Sequence, residues 1–120
     1  MSLAIGAAQR IFVYRKPCDM RRSFDRLAAM VEHELHRDPM RGDYFVFVNR
    51  RCTMLKLLYW DGDGFAIWFK RLERGRFRLR DQQELDRADL NLLLEGIVGN
   101  DLRRLPRYRK KIAQKQFQDR

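Results

Sequence analysis

Hydrophobic positions switch between two periods along this chain. Residues 11–15 (IFVYR) are β-branched and aromatic and end before Pro17, which reads as a short strand. Met20, Phe24, Leu27, Ala28, Val31 and Leu35 then form one apolar stripe of period 3.6. That stripe predicts a helix over 20–37, with Asp19 as its N-cap and Asp38-Pro39 as its stop. Beyond it the pattern turns β-like. Asn49-Arg50-Arg51-Cys52, Asp61-Gly62-Asp63-Gly64 and Glu73-Arg74-Gly75 are three tight connections, and Asp-Gly is a strong hairpin signal. They separate predicted strands at about 44–49, 52–60, 65–72 and 76–80.

The second hairpin predicts its own register. With Trp60 opposite Phe65, Leu58 faces Ile67 and Lys56 faces Phe69. The other face then pairs Tyr59 with Ala66, Leu57 with Trp68 and Leu55 with Lys70. The first hairpin adds Phe45 and Phe47 to one face, Val46 and Val48 to the other. Both faces are apolar, whereas a half-exposed sheet alternates apolar with polar, so each side needs a cover. The first helix covers one. A second helix at about 87–96, with the stripe Leu90, Leu93, Leu94, Ile97 and a capping box of Asp86 and Asp89, is the candidate for the other. A second subunit is the alternative.

The expected fold is α+β: a four- to five-stranded antiparallel meander packed against one long N-terminal helix, with a second C-terminal helix and a basic tail. Residues 1–100 form a single domain by the length prior and 101–120 the tail, which fits either a marginal basic helix or a disordered arm.

Charge sharpens this picture. The net charge is +10, and residues 70–80 and 101–120 alone carry +5 and +6, so the remainder is close to neutral. Two local basic patches point to an anionic partner, with nucleic acid first, an anionic membrane surface second and an acidic protein third. No apolar run is long enough to span a bilayer, and MSLAIGAAQR is not a secretory leader. Cys18 and Cys52 show no pairing signature, so a reduced cytoplasmic protein is expected.

Arginine forks match phosphate geometry. The candidate nucleic-acid-binding residues are therefore Arg50, Arg51, Lys70, Arg71, Arg74, Arg76, Arg78 and Arg80, with Arg103, Arg104, Arg107, Arg109, Lys110 and Lys111 of the tail. Charge guarding an edge strand is the bland explanation of the first set, and a solvated tail that of the second. Lys56 among aromatics fits snorkelling, a cation–π contact or a phosphate contact. His33 and His36 lack the further ligands of a metal site. Asp61 and Asp63 are explained by their turn, although a nuclease site with Glu73 is a third, weaker reading. No catalytic residue, metal or cofactor is expected, and no motif for base-specific readout is evident.

Several blocks together carry a family resemblance: Asp19-Met20-Arg21, Asp38-Pro39, Phe45-Val46-Phe47, Asn49-Arg50-Arg51, KLLYWDGDGF from Lys56, KRLE from Lys70, Gly75-Arg76-Phe77 and LLLEGI from Leu92. Over about residues 10–98 the chain resembles the TnpB-type accessory proteins of bacterial insertion sequence 66 elements. The resemblance implies a role in transposition beside a separate DDE-type transposase. It carries over no catalytic residue. The expectation is thus a non-catalytic, DNA-binding accessory factor whose partners are DNA and the transposase. The alternative is an interaction module that docks the transposase or a second copy through the sheet face of Leu55, Leu57, Tyr59 and Trp68.

Overall fold

The computed structural model describes residues 5, 6 and 8–96. Its elements are β1 (Ile11–Val13), α1 (Phe24–Glu34), β2 (Tyr44–Val48), β3 (Met54–Trp60), β4 (Phe65–Arg71), β5 (Glu84–Leu85) and α2 (Arg87–Glu95). They build one five-stranded sheet in the order β4-β3-β2-β1-β5. The hairpins β2–β3 and β3–β4 are antiparallel in the register that the apolar alternation predicts, with Trp60 opposite Phe65, Lys56 opposite Phe69 and Leu55 opposite Lys70.

The expected antiparallel meander is nevertheless overturned. β1 runs parallel to β2, with Ile11 beside Tyr44, and α1 is the crossover between them. β1 is also paired antiparallel with β5, Ile11 beside Leu85, so the sheet is mixed. The strand expected at 76–80 is absent. Phe77 donates its N–H to the Cys52 carbonyl at 2.7 Å and buries its ring on the sheet face. The alternation Arg76-Phe77-Arg78-Leu79-Arg80 suits a strap laid over an apolar face as well as a strand within one, and here the face needed covering.

Nor is α1 the long helix expected. It spans 11 residues and begins after Ser23. Residues 19–22 form a separate turn, closed by the Arg22 N–H to the Asp19 carbonyl at 3.1 Å. The Met20 and Arg22 carbonyls point instead at the Lys56 ammonium. At the other end His36 takes a left-handed φ of 56°, a position glycine usually fills, and this stops the helix before Pro39. α2 agrees closely with its prediction. Asp86 accepts from the Asp89 N–H at 2.7 Å, and the reciprocal half of the capping box is present.

The sheet separates two cores. α1 lays Leu27, Met30 and Val31 on Phe12, Phe45, Phe47 and Leu58. On the opposite face Phe77, Leu90 and Leu93 cover Val46, Val48, Leu55 and Leu57. Each face thus receives cover from this same chain, and on the face named for docking Leu55 and Leu57 are buried while Tyr59 and Trp68 stay half-buried. The ends of the fold are tied by a forked Arg10–Glu84 ion pair at 2.7 and 2.9 Å and by an Arg15–Asp81 pair.

Candidate nucleic-acid interface

The turn between β2 and β3 sets the site. The Cys52 N–H donates to the Asn49 carbonyl at 3.0 Å, which puts Arg50 and Arg51 at the exposed corner. The Asn49 side chain holds the turn from inside, accepting from the N–H groups of Thr53 and Met54 at 2.8 and 2.9 Å. Cys52 closes it in a left-handed conformation, φ 59°.

Neighbouring segments are stitched to this corner. The Leu72 N–H donates to the Thr53 carbonyl at 2.8 Å, and Phe77 bonds to Cys52 as described above. The 72–77 loop therefore lies beside the turn and carries Arg74 and Arg76, while Arg71 arrives opposite Met54. From the other side the Cys18 N–H donates to the Val48 carbonyl at 2.9 Å and brings in residues 17–22. Arg50, Arg51, Arg71, Arg74 and Arg76 thus share one end of the sheet with Arg21 and Arg22. Between them opens a groove of about 830 Å³, lined by Arg21, Arg22, Arg50, Arg51, Met54 and Phe69 among others.

Not every predicted residue belongs there. Lys70 lies opposite Leu55, on the α2 face, and donates to the Leu94 carbonyl at 2.8 Å, so it anchors α2. Arg78 and Arg80 travel with the strap and line a separate hollow against α2, beside Leu92 and Leu93. Arg71 is paired with Glu73 at 3.0 Å, and Arg74 and Arg78 each have an interaction of their own. Arg103, Arg104, Arg107, Arg109, Lys110 and Lys111 lie outside the described residues. The last described residue is Gly96, at φ 77°, where a β-carbon would stand 2.7 Å from Leu72 Cδ1.

Three contributors escape the sequence pattern. Reading Asp19 as a helix cap places Arg21 and Arg22 on the first turn of a helix. Asp19 instead grips the Arg21 guanidinium through both oxygens, at 3.1 and 2.6 Å, and this hydrogen bonding holds its carboxyl far below the usual carboxylate range. The third is Lys56, only 7% exposed, whose Nζ donates to the Met20 and Arg22 carbonyls at 2.8 and 2.7 Å and stands 5.0 Å from the Phe69 ring centroid. A buried lysine thus fastens the arginine-bearing loop to β3.

The acidic residues do not form a site with this pole. Asp61 and Asp63 sit at the far end of the β3–β4 hairpin, and Glu73 follows the near end of the seven-residue β4. At strand rise that separation is on the order of 20 Å, which removes the three-carboxylate nuclease arrangement. Among the described residues no cluster of His, Cys, Asp and Glu is placed to hold a metal ion. The buried Cys18 thiol is pushed up by desolvation, which works against reactivity. No helix among the described residues is long and apolar enough to cross a membrane.

Comparison with known proteins agrees with the resemblance seen in the motifs. The model of a family described as IS66 Orf2-like protein matches residues 9–104. Two proteins of Sinorhizobium fredii are similar. The uncharacterized protein y4jC is 36% identical over 101 residues, covering 81% of this chain and 86% of its own. The uncharacterized protein y4hO is 35% identical over 99 residues, covering 79% and 86%. No solved structure matches the chain.

Proposed function

The chain belongs to the IS66 Orf2-like family, an accessory family of insertion sequences, and from that premise we propose that it serves transposition by binding DNA through the arginine pole. One observation carries this reading. Three segments distant in sequence (17–22, 49–53 and 71–77) are hydrogen-bonded together so that their arginines share one end of the sheet. Charge needed only for solubility would not require convergence of that kind.

The mechanism is electrostatic. Guanidinium groups neutralise phosphates and release condensed counterions, which gives affinity with little dependence on sequence. The basic residues 103–111 are proposed to add phosphate contacts. The protein would act beside an element-encoded transposase, and no catalytic step is assigned to its own side chains. On the face of the docking alternative Leu55 and Leu57 are buried beneath Phe77 and α2, while Tyr59 and Trp68 remain half-buried.

Fluorescence anisotropy on labelled duplex DNA over a salt series tests the proposal. Affinity should fall linearly in log–log form, and Arg50→Glu with Arg51→Glu should reduce the slope by about one unit for each phosphate no longer neutralised. Salt-independent binding, or none at low salt, would refute it.

A further inference from the structure

Among the described residues four large apolar side chains are exposed: Phe24, Met40, Phe69 and Leu92. Of these only Phe69 lines the arginine groove. The residue is 52% exposed although it sits within the β4 ladder rather than in a loop. The strand fixes its backbone, and the Lys56 ammonium lies against the ring. Arg50 and Arg51 border the same groove on one side, and on the other lie Arg21, held by Asp19, and Arg22, whose Nη1 donates to Met30 Sδ at 3.2 Å. The site is therefore an aromatic ring carried on the edge strand β4, lining a groove that Arg50 and Arg51 border.

Duplex nucleic acid offers such a surface no free base face without the cost of unstacking a step, because its bases are already stacked on one another. An unpaired base offers a free π-face, and base–aromatic stacking inside a positively charged groove is the general device for single strands. We propose that this groove takes unpaired nucleotides, with a base stacked on Phe69 and its flanking phosphates held by Arg50 and Arg51. The inference rests on the polyanion reading above and narrows it from duplex to single strand at this one place. The sugar is not discriminated by these contacts, so DNA and RNA strands are both ligands by chemistry.

The test measures anisotropy with the full chain at low salt on four probes of equal length: oligothymidylate, oligouridylate, an abasic deoxyribose strand and a mixed-sequence duplex. The wild type should bind oligothymidylate more tightly than the abasic strand. Phe69→Ala should weaken oligothymidylate binding about tenfold or more, the usual loss for one stacked base. It should leave the abasic strand and the duplex within about twofold, because phosphate contacts persist. Phe69→Tyr should retain the wild-type affinity, and thermal melting checks that each variant is folded. Equal binding of the abasic and base-bearing strands, or a Phe69→Ala loss shared by the duplex, overturns the stacking proposal. In either case duplex binding that is lost on Arg50→Glu with Arg51→Glu leaves the phosphate reading standing. Failure of the wild type to bind any probe sinks both.

Discussion

Replacing Lys56 with methionine isolates the fastening of the arginine loop. Methionine is of similar length and keeps the apolar stem, so the cavity change is small. What disappears is a charged donor serving two backbone carbonyls, those of Met20 and Arg22. Hydrogen bonds to charged groups contribute about 1.5–3 kcal/mol each, and an acceptor left without a donor retains its desolvation penalty. Met20 and Arg22 are only half-buried and border an open groove, so water restores part of the loss and the lower bound applies to each. Relief of a buried charge offsets some of the remainder, since swapping buried charge for apolar volume is often near neutral when both partners go. Here the carbonyl partners stay. The net effect is a destabilisation of about 2–3 kcal/mol, a large share of the stability of a domain this size. Urea unfolding followed by tryptophan fluorescence should show the midpoint falling by about 1–2 M. The same variant, still folded in water, should bind DNA more weakly, because Arg21 and Arg22 are no longer held in place. A midpoint that is unchanged or raised would refute the account of Lys56 as a fastener.

Other outcomes follow from individual interactions. Gly96→Ala forces a side chain into a glycine-only backbone region and against Leu72, and should destabilise by about 1–3 kcal/mol in urea melts. Asp86→Ala removes the capping box of α2 and should cost about 1 kcal/mol, seen as a melting temperature lower by several degrees. His36→Gly relieves a left-handed residue and should raise stability by up to about 1 kcal/mol, and a lower melting temperature would contradict the strain argument. Asp19 and Glu84 both have depressed pKa values, chiefly from hydrogen bonds donated by Arg21 and Arg10. Their contribution is therefore present above the ordinary carboxylate range and lost as pH falls through the folded values. Asp19→Asn with Glu84→Gln should flatten the acid limb of a stability–pH curve, and salt should do the same, because both pairs are exposed.

Much of the sheet is legible in the sequence because local signals dominate it. KLLYWDGDGF carries its turn, and that turn fixes the register of both strands. The capping box of α2 is equally local. β1 is recognisable as a strand, but nothing within Ile-Phe-Val says which neighbour it joins or in which direction, since parallel pairing is decided by a crossover. The strap at 76–80 passes for a strand because alternation is blind to whether a segment lies in a sheet or across it. At the site, the corner arginines are legible from their turn. Lys70 is misplaced there when its charge is counted without following its side to α2. Lys56 stays ambiguous in sequence, since its partners are backbone carbonyls that no residue pattern displays.

The placement of β1 has a consequence for synthesis. Its outer partner is β5, and the Arg10–Glu84 bridge joins residues 74 positions apart. While the nascent polypeptide is shorter than this, β1 has one flank without a neighbour and the Phe77 face lacks α2. The sheet can be completed only once residues through Leu85 have emerged from the ribosome. Premature termination upstream of Leu85 leaves an adhesive fragment that quality control should remove.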